Sequence, residues 1–534
     1  MTRTDPQLHR FVLAGMIALG VILTLHTSTF AQPALHWQHI YGDTLSQSGT
    51  AGMVQLPSSQ NGDLIIAGEI NHAIPLLFDM HLTRITVDGD SVWMRSHDIE
   101  QTQHAYAIAL SVDSTTVAVA GANNWESGGN YYTNCMLNLF DTDGNHLHTY
   151  TDGATWIAEA YTIIATPDNG FIFAGKVEDD VGPSPEQNVW VVKVDDQADL
   201  VWSREFDIDE EDEAHAIIRH PDGGYMIAGH AREENAPLRW NTFLLHIDED
   251  GNELDRRHYV DDSADEFVYA LHFTAQGRLY LAGESYVPDQ PNQRTDGFLT
   301  LLDFDLNPID TRYIGGTGYD GFRTIDPLED GDLLLAGHAQ SYSANGNEDL
   351  FVVRVNALGA ELWHGSFGDT GNDKGYALLP VDGPNETHFI LAGTSAPRGQ
   401  SHNKNVIAAR ISARLPWVRL TLTSDPPDTV DIPAGGGDFD YTATLENNTG
   451  QMRTLAAWAV VQTPDSVLTP PVRMARLHLD AESRTDYPQS QTVSADADTG
   501  LYRFIGRLGH YPNEIFSADT LLIRKNPPDP ESSF

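Results

Sequence analysis

A turn, a buried strand and an Ala-Gly pair recur at regular intervals along most of this chain. The clearest copy runs from Asp222 to Gly229. Successive glycines of the pair are separated by 53 residues, then by 54 four times, then by 56. A constant spacing of this length indicates a series of equivalent structural units. The pairs are Ala67-Gly68, Ala120-Gly121, Ala174-Gly175, Ala228-Gly229, Ala282-Gly283, Ala336-Gly337 and Ala392-Gly393.

Each unit has the pattern of four short strands. In the third copy these are the run 159–164, the Ala-Gly strand 171–175, the run 189–194 and a strand that begins near Trp202. The runs are rich in β-branched and aromatic residues and are bounded by turn-forming residues. Four strands per unit and seven units predict an all-β fold, a seven-bladed β-propeller of four-stranded blades. A β-solenoid and an eight-bladed ring are the alternative architectures.

An additional strand pattern precedes the first unit. Residues 35–42 resemble a fourth strand but follow no third strand. We expect this segment to complete the last blade, whose other strands come from residues 375–412, because this pairing removes an open sheet edge. The glycine of each Ala-Gly pair is predicted either to end its strand at a point where backbones crowd or to adopt a backbone conformation closed to other residues.

The remaining segments suggest how the chain is divided. Residues 1–31 have the charged start, apolar stretch and small-residue cleavage site of a secretory signal, which predicts a secreted, periplasmic or cell-surface protein. The propeller is predicted over 32–417. Residues 418–525 show alternating strands at the spacing of an immunoglobulin-like or fibronectin-like β-sandwich. Residues 526–534 are predicted to be a disordered tail.

The charge balance restricts the possible partners. The chain has 76 acidic and 31 basic residues, a formal net charge of −45. This excess of negative charge disfavours nucleic acid and anionic membrane surfaces as partners, and we expect a monomer that does not insert into a membrane once its signal is removed. Cys135 is the only cysteine, so no intramolecular disulfide can form, and we expect it to be a small buried residue.

Two groups of phrases resemble a known class of protein. The repeated Ala-Gly strand, with turns such as Val87–Trp93 and Val355–Trp363, is similar to the repeat of exported bacterial propeller proteins and to the docking turns of quinoprotein-type propellers. The stretches 432–439, 445–449 and 509–519 resemble the C-terminal immunoglobulin-like module of such proteins. That module often precedes a type IX secretion sorting domain, which we do not expect after Lys525. The resemblance implies fold and export rather than an activity.

Acidic residues precede the first strand in several units. Asp212, Glu266 and Asp320 each lie 17 residues before the glycine of their unit, and Asp373 lies near the equivalent place in the last unit. Equivalent positions in a propeller lie at similar radius and height, so these carboxylates could line the channel mouth and bind a cation or a basic ligand. The alternative is that each acid caps its own turn.

Two turns, Asp141–Asn145 and Asp248–Asn252, resemble the start of a calcium-binding loop. An EF-hand also needs a bidentate acid at its twelfth position and flanking helices, and the sequence predicts neither. Asp, Asn and Gly are common in tight turns for backbone reasons. We therefore predict no cofactor, with calcium at these turns as the alternative.

The sequence shows no HExxH, GxSxG or phosphate-loop motif. We therefore predict a non-catalytic exported binding protein with a protein or glycan ligand. Its recognition surface would be the loops 123–132, 178–187 and 285–295, because variable loops on a rigid scaffold commonly carry recognition. The alternative is a carbohydrate-active propeller enzyme, a glycosidase or lyase, that uses the acids at the channel mouth.

Overall fold

The computed structural model describes most of the chain after residue 32. The described residues are 33–42, 46–72, 78–97, 102–127, 130–152, 157–178, 187–232, 239–259, 264–274, 277–287, 294–328, 331–382, 387–396, 405–412, 418–424, 429–447, 452–464, 467–481, 483–511 and 514–527. The predicted signal at 1–31 lies outside them, as does most of the predicted tail.

The described part of the chain is all-β, as predicted. Its 36 strands are accompanied by one short 3-10 turn at Ser58–Gln60. Within the described ranges, no helix has the length and apolar character needed to cross a bilayer.

The strands between residues 34 and 412 form seven antiparallel units of four. Unit one is β2 (Ser46–Gln55), β3 (Leu64–His72), β4 (Phe78–Ile85) and β5 (Ser91–His97); unit two is β6 (Thr102–Leu110), β7 (Thr116–Ser127), β8 (Asn130–Asp141) and β9 (His146–Thr151); unit three is β10 (Ile157–Ala165), β11 (Phe171–Glu178), β12 (Gln187–Val194) and β13 (Leu200–Phe206); unit four is β14 (Glu211–Arg219), β15 (Tyr225–Arg232), β16 (Trp240–Ile247) and β17 (Glu253–Tyr259). Unit five is β18 (Asp265–Phe273), β19 (Leu279–Tyr286), β20 (Thr295–Leu302) and β21 (Pro308–Ile314); unit six is β22 (Asp320–Pro327), β23 (Leu333–Ala339), β24 (Asp349–Val355) and β25 (Glu361–Phe367); unit seven is β26 (Asn372–Asp382), β27 (Thr387–Ala396), β28 (Asn405–Ser412) and β1 (Ala34–Tyr41).

Unit seven combines strands from the two ends of this region. Strand β1 pairs antiparallel with β28, with Tyr41 opposite Val406 and Ala34 opposite Ser412. The predicted pairing of residues 35–42 with the last unit is therefore confirmed. Pairing β1 with β28 satisfies backbone groups that β28 would otherwise expose along its edge.

Neighbouring units contact each other through their first strands. The contacts run in chain order from β2 through β6, β10, β14, β18 and β22 to β26, and β26 also contacts β2. Units two, three and four are further linked by single parallel pairings, Thr133 with Ile157 and Gln187 with Glu211. The first strands thus follow one another around a closed series of contacts.

The hydrophobic core lies between the units. One cluster, for example, packs Ile172 and Val191 of unit three against Ile227 and Phe243 of unit four. The second and third strands of a unit are buried on both faces, which explains why they read as continuous apolar runs rather than as an alternating pattern. Cys135 in β8 is fully buried, as predicted.

The glycine of the Ala-Gly pair lies within its strand and does not end it. Strand β11 continues for three residues beyond Gly175, and β15 for three beyond Gly229. The predicted backbone crowding is present: a Cβ atom at Gly229 would lie 1.9 Å from the carbonyl oxygen of Glu213. That carbonyl comes so close because β14 has a β-bulge there, between Ala214 and Ala216. The glycine therefore accommodates a bulge in the neighbouring strand.

Strands after residue 417 form two further sheets. One contains β29 (Val418–Ser424), β31 (Gly437–Asn447) and β34 (Ser483–Val493), and the other contains β30 (Thr429–Ile432), β36 (Glu514–Lys525), β35 (Gly500–His510), β32 (Arg453–Gln462) and β33 (Arg473–Leu479). Side chains of both sheets share one core, in which Leu420 and Tyr441 of the first sheet lie with Phe504 and Leu508 of the second.

These two sheets contact unit six through polar side chains. The Asn356 side-chain amide donates to Asp519 at 2.8 Å, and Arg419 donates to Asp332 at 3.0 Å. Asp332 also accepts two bonds from the buried Arg354, at 2.8 and 2.7 Å. A buried carboxylate therefore joins a strand of unit six to the first strand of the C-terminal sheets.

Candidate functional site

The β-bulges place one extra side chain of each first strand outside the regular pairing. Such bulges redirect a side chain and are frequent next to functional sites. In units two to seven the extra residue is aromatic or cationic and partly exposed; in unit one it is Ala51. We call these six residues the bulge row: Tyr106, Tyr161, His215, Tyr269, Arg323 and Tyr376.

Members of the bulge row in neighbouring units contact one another. The rings of Tyr106 and Tyr161 are 5.3 Å apart, and Tyr161 stacks on His215 at 4.6 Å. His215 meets Tyr269 edge-on at 5.3 Å, and the Arg323 guanidinium lies 3.6 Å from the centre of the Tyr269 ring. This is a close cation–π contact. The bulge row is therefore continuous from unit two to unit six.

An ion-paired group lies beside the bulge row in units three and four. Lys176 lies between two carboxylates, 2.7 Å from Glu213 and 3.5 Å from Glu159. Glu159 also accepts hydrogen bonds from the hydroxyl groups of Tyr161 and Tyr106. The side chains of Lys176, Glu159 and Glu213 are 14–18% exposed, so the group is accessible to solvent but largely desolvated.

A second ion-paired group lies beside units five to seven. Arg323 pairs with Glu284 at 2.8 Å, and Lys374 pairs with Glu348 at 2.9 Å. The Nε2 atom of His338 lies 3.5 Å from Glu284 and 3.6 Å from Glu348, which links the two pairs. Acids and bases of the first strands and of the neighbouring strands are therefore paired in a protein whose overall charge is strongly negative.

Glu213, His215 and His230 form the one group of three possible metal ligands found among the described residues. The Nε2 atoms of His215 and His230 lie 3.1 and 3.5 Å from the same oxygen, Oε2 of Glu213. Burial lowers the pKa of His215 to about 4, despite the hydrogen bond to Glu213. Burial acts to raise the pKa of Glu213, but hydrogen bonds from both histidines and the charge of Lys176 lower it well below its usual range. Glu213 is therefore ionised at neutral pH.

The acids predicted to line the channel mouth lie at the beginnings of the first strands, within their first two residues. Asp212 is fully buried and accepts bonds from the backbone amides of Ile208 and Asp209. Asp320 is fully buried and accepts from the amide of Gly316 and from Ser341. Asp212 therefore caps its own turn, whereas Asp320 caps its own turn through Gly316 and also binds Ser341, which follows the second strand.

The other two predicted acids differ from each other. Asp373 is fully buried and accepts a bond from the amide of Asp369, whereas Glu266 is partly exposed and accepts from the Tyr313 hydroxyl at 3.4 Å. The contacts of Asp212, Asp320 and Asp373 do not join them into one group. Beside the bulge row, acids that converge with other ionisable groups include Glu159, Glu213, Glu284 and Glu348.

The pKa of Asp212 predicts a pH effect on stability. Burial raises this pKa to about 7, although backbone hydrogen bonds oppose the rise. In the unfolded chain the pKa is about 4, so between about pH 4 and pH 7 the folded state holds the extra proton. The contribution of Asp212 to stability is therefore lost as the pH rises through 7. We expect the deprotonation of Asp212 to lower the free energy of unfolding by about 1 kcal/mol between pH 6.5 and pH 8.

Chemical denaturation at both pH values checks this. Asp212→Asn, which keeps one carbonyl acceptor for the turn, should reduce the loss of stability between pH 6.5 and 8. Asp113→Asn is the control, because hydrogen bonds from Ser111 and Thr115 lower the pKa of the exposed Asp113, and its titration is complete below this window. If the Asp212 variant has the same pH dependence as the wild type, this explanation is wrong.

The two calcium-like turns use their acids internally. In each, the first aspartate accepts two backbone amide bonds, at 3.0 and 2.8 Å for Asp141 and at 2.9 and 2.8 Å for Asp248. A tryptophan of the preceding unit also lies against the glycine of each turn: Trp93 against Gly144, and Trp202 against Gly251. The contacts are those of tight turns that pack against a neighbouring unit.

The predicted recognition loops lie partly outside the described residues. The segments left out are 128–129, 179–186 and 288–293. Strand β11 ends at Glu178, two residues after Lys176, so the ion-paired group lies close to the point at which the predicted recognition segment 178–187 begins.

Sequence reasoning missed the bulge row, although the sequence carried a signal. Tyr161, His215, Tyr269 and Arg323 each lie 14 residues before the glycine of their unit. The residue after each Ala-Gly pair is also often charged, as in Lys176, within otherwise apolar strands. Both patterns repeat with the unit, but only the bulge explains why these residues face the same side.

Comparisons with known proteins do not identify a family. No protein-family model matches the chain, and no curated protein matches it. A solved structure of Bacteroides uniformis β-glucuronidase matches 23% of this chain and 16% of that enzyme, with 11% identity and a TM-score of 0.18. The same figures apply to Bacteroides uniformis β-glucuronidase 2 covalently bound to cyclophellitol-6-carboxylate aziridine. These matches span less than a sixth of the enzyme and carry no argument about fold or activity.

Proposed function

We propose that this chain is an exported, non-catalytic binding protein in which a seven-bladed β-propeller presents the bulge row and its ion-paired side chains to a neutral glycan. The observation that carries the proposal is the continuous contact of aromatic, acidic and basic side chains along the first strands of consecutive units.

The propeller is supported by three features of the strands. The chain between residues 34 and 412 folds into seven four-stranded units, their first strands contact one another in a closed series, and β1 joins the last unit. In a propeller these first strands would be the innermost strands and would surround the central axis. The bulge row would then face that axis.

The chemistry of the row supports a sugar as the ligand class. Tyrosine and histidine rings offer flat apolar faces for packing, and a few placed polar groups fix the orientation of a small ligand. Carboxylates such as Glu159 accept hydrogen bonds from hydroxyl groups, while Lys176 and Arg323 donate them. The close pairing of acids with bases leaves little net charge on the row, which favours a neutral ligand over a charged one.

A glycan array followed by calorimetric titration of the tightest neutral ligand tests the proposal. We expect Tyr106→Ala to weaken that binding by at least about 10-fold, equivalent to 1.4 kcal/mol, because the change removes one of the aromatic rings on which the glycan would pack. Tyr313→Ala is the matched control, since Tyr313 is 52% exposed on the fourth strand β21 and should leave affinity unchanged.

Two results would contradict the proposal. Equal affinity of the Tyr106→Ala variant and the wild type would show that the ligand binds elsewhere. Release of new reducing ends from the bound glycan, lost in Glu159→Gln or Glu213→Gln, would favour the carbohydrate-active enzyme.

A further inference from the structure

We propose that Glu213, His215 and His230 form a binding site for a divalent transition metal of the zinc class. The three residues lie on the first two strands of unit four, at and beside the bulge between Ala214 and Ala216. This inference goes beyond the proposed glycan binding and does not depend on it.

The separations of the ligand atoms fit a tetrahedral metal. Two ligands bonded to zinc at about 2.0–2.1 Å in tetrahedral geometry are about 3.3 Å from each other. The distances from Oε2 of Glu213 to the two histidine Nε2 atoms are 3.1 and 3.5 Å. All three ligand atoms lie within 4.8 Å of one another. The two imidazole rings stack 14° from parallel at 4.6 Å, so one ring has to rotate for both Nε2 atoms to point at the same ion.

Two imidazole nitrogens and one carboxylate oxygen form the donor set of many zinc sites with an open fourth position. The side chains of Glu213 and His215 are 18% and 16% exposed, so water can reach that position. Lys176 lies 2.7 Å from the other oxygen, Oε1, which leaves Oε2 as the metal ligand. The charge of Lys176 is in turn balanced by Glu159.

Aromatic side chains surround both imidazole rings. His230 is 4% exposed and lies edge-on to Trp240 and Phe267, each at 5.0 Å. His215 stacks between Tyr161 and His230, both at 4.6 Å. This packing limits the conformations that each ring can adopt, which lowers the entropic cost of binding an ion.

Titration of zinc into the full chain after dialysis against a chelator tests the site. We expect one equivalent to bind with micromolar or tighter affinity and to raise the melting temperature. His230→Gln should weaken binding by at least about 100-fold, since the loss of a direct ligand should exceed the 10- to 100-fold cost of losing an outer-shell partner. His246→Gln is the matched control, because His246 stacks on His220 at 4.0 Å in the same unit and lies outside the ligand group.

A second measurement does not depend on any variant being folded. Cobalt(II) bound to the wild type should show the intense visible absorption of a tetrahedral complex, and zinc should displace it. Absence of saturable zinc binding to the wild type would overturn the proposal, as would a weak octahedral cobalt spectrum or unchanged affinity in His230→Gln. All these titrations are made without glycan, so their outcome is independent of the glycan-binding test.

Discussion

Replacing Gly229 by alanine should destabilise the protein by about 3 kcal/mol or more, a cost at or above the usual range for adding a methyl group to a packed core. The new Cβ atom would lie 1.9 Å from the carbonyl oxygen of Glu213 and 2.8 Å from the Phe243 ring. The nearest atom belongs to the backbone of β14, so the clash cannot be relieved by a side-chain rotation. The bulge that carries His215 would have to move.

Chemical denaturation of Gly229→Ala against Gly435→Ala measures this cost. At Gly435 an added Cβ would meet no atom within 4 Å, so the control should change the free energy of unfolding by less than about 0.5 kcal/mol. We also expect Gly229→Ala to lose zinc affinity, since the backbone that positions Glu213 and His215 shifts. Equal stability of the two variants would show that the glycine is not required by the bulge.

Asp332→Ala is expected to have the largest effect of any single change considered for the ion pairs, about 3–5 kcal/mol. The Arg354 side chain is 2% exposed and donates to Asp332 from its Nε and Nη2 atoms. Removal of the carboxylate leaves a charged guanidinium deprived of that partner in a nearly dry environment. The change also removes the carboxylate to which Arg419 of the C-terminal sheets donates.

The matched control for this effect is Asp255→Ala. Asp255 pairs with Arg257 at 3.1 Å, but both side chains are at least 40% exposed, so the loss should be at most about 1 kcal/mol. Denaturation curves of both variants, followed by circular dichroism, provide the comparison. A cost for Asp332→Ala as small as that for Asp255→Ala would contradict the interpretation of Asp332 as the buried counter-ion of Arg354.

Much of the strand architecture could be predicted from the sequence because it depends on local patterns. Turn residues and β-branched runs repeat with the unit, and the extra strand at residues 35–42 needs a partner, which β28 provides. The position of Gly229 within its strand could not be predicted in this way. The bulge opposite it arises in a different strand and depends on pairing between β14 and β15.

The candidate site was also difficult to predict from the sequence, because it depends on contacts between different strands. Asp212 and Asp320 have an acidic character that is obvious in the sequence, yet their oxygens serve adjacent backbone amides. Glu213 is the next residue after Asp212 and faces the opposite way, since successive side chains of a strand alternate. Its partners Lys176 and His230 come from other strands. Tertiary pairing, rather than acidity, therefore selects the residues that converge.

A crystal structure of the protein with the tightest neutral glycan from the array tests the central claim most directly. We predict seven four-stranded units around one axis, with the glycan in contact with Tyr106, Tyr161 or other members of the bulge row. Electron density for the glycan on the outer strands or on the C-terminal sheets, away from the bulge row, would contradict the proposed function.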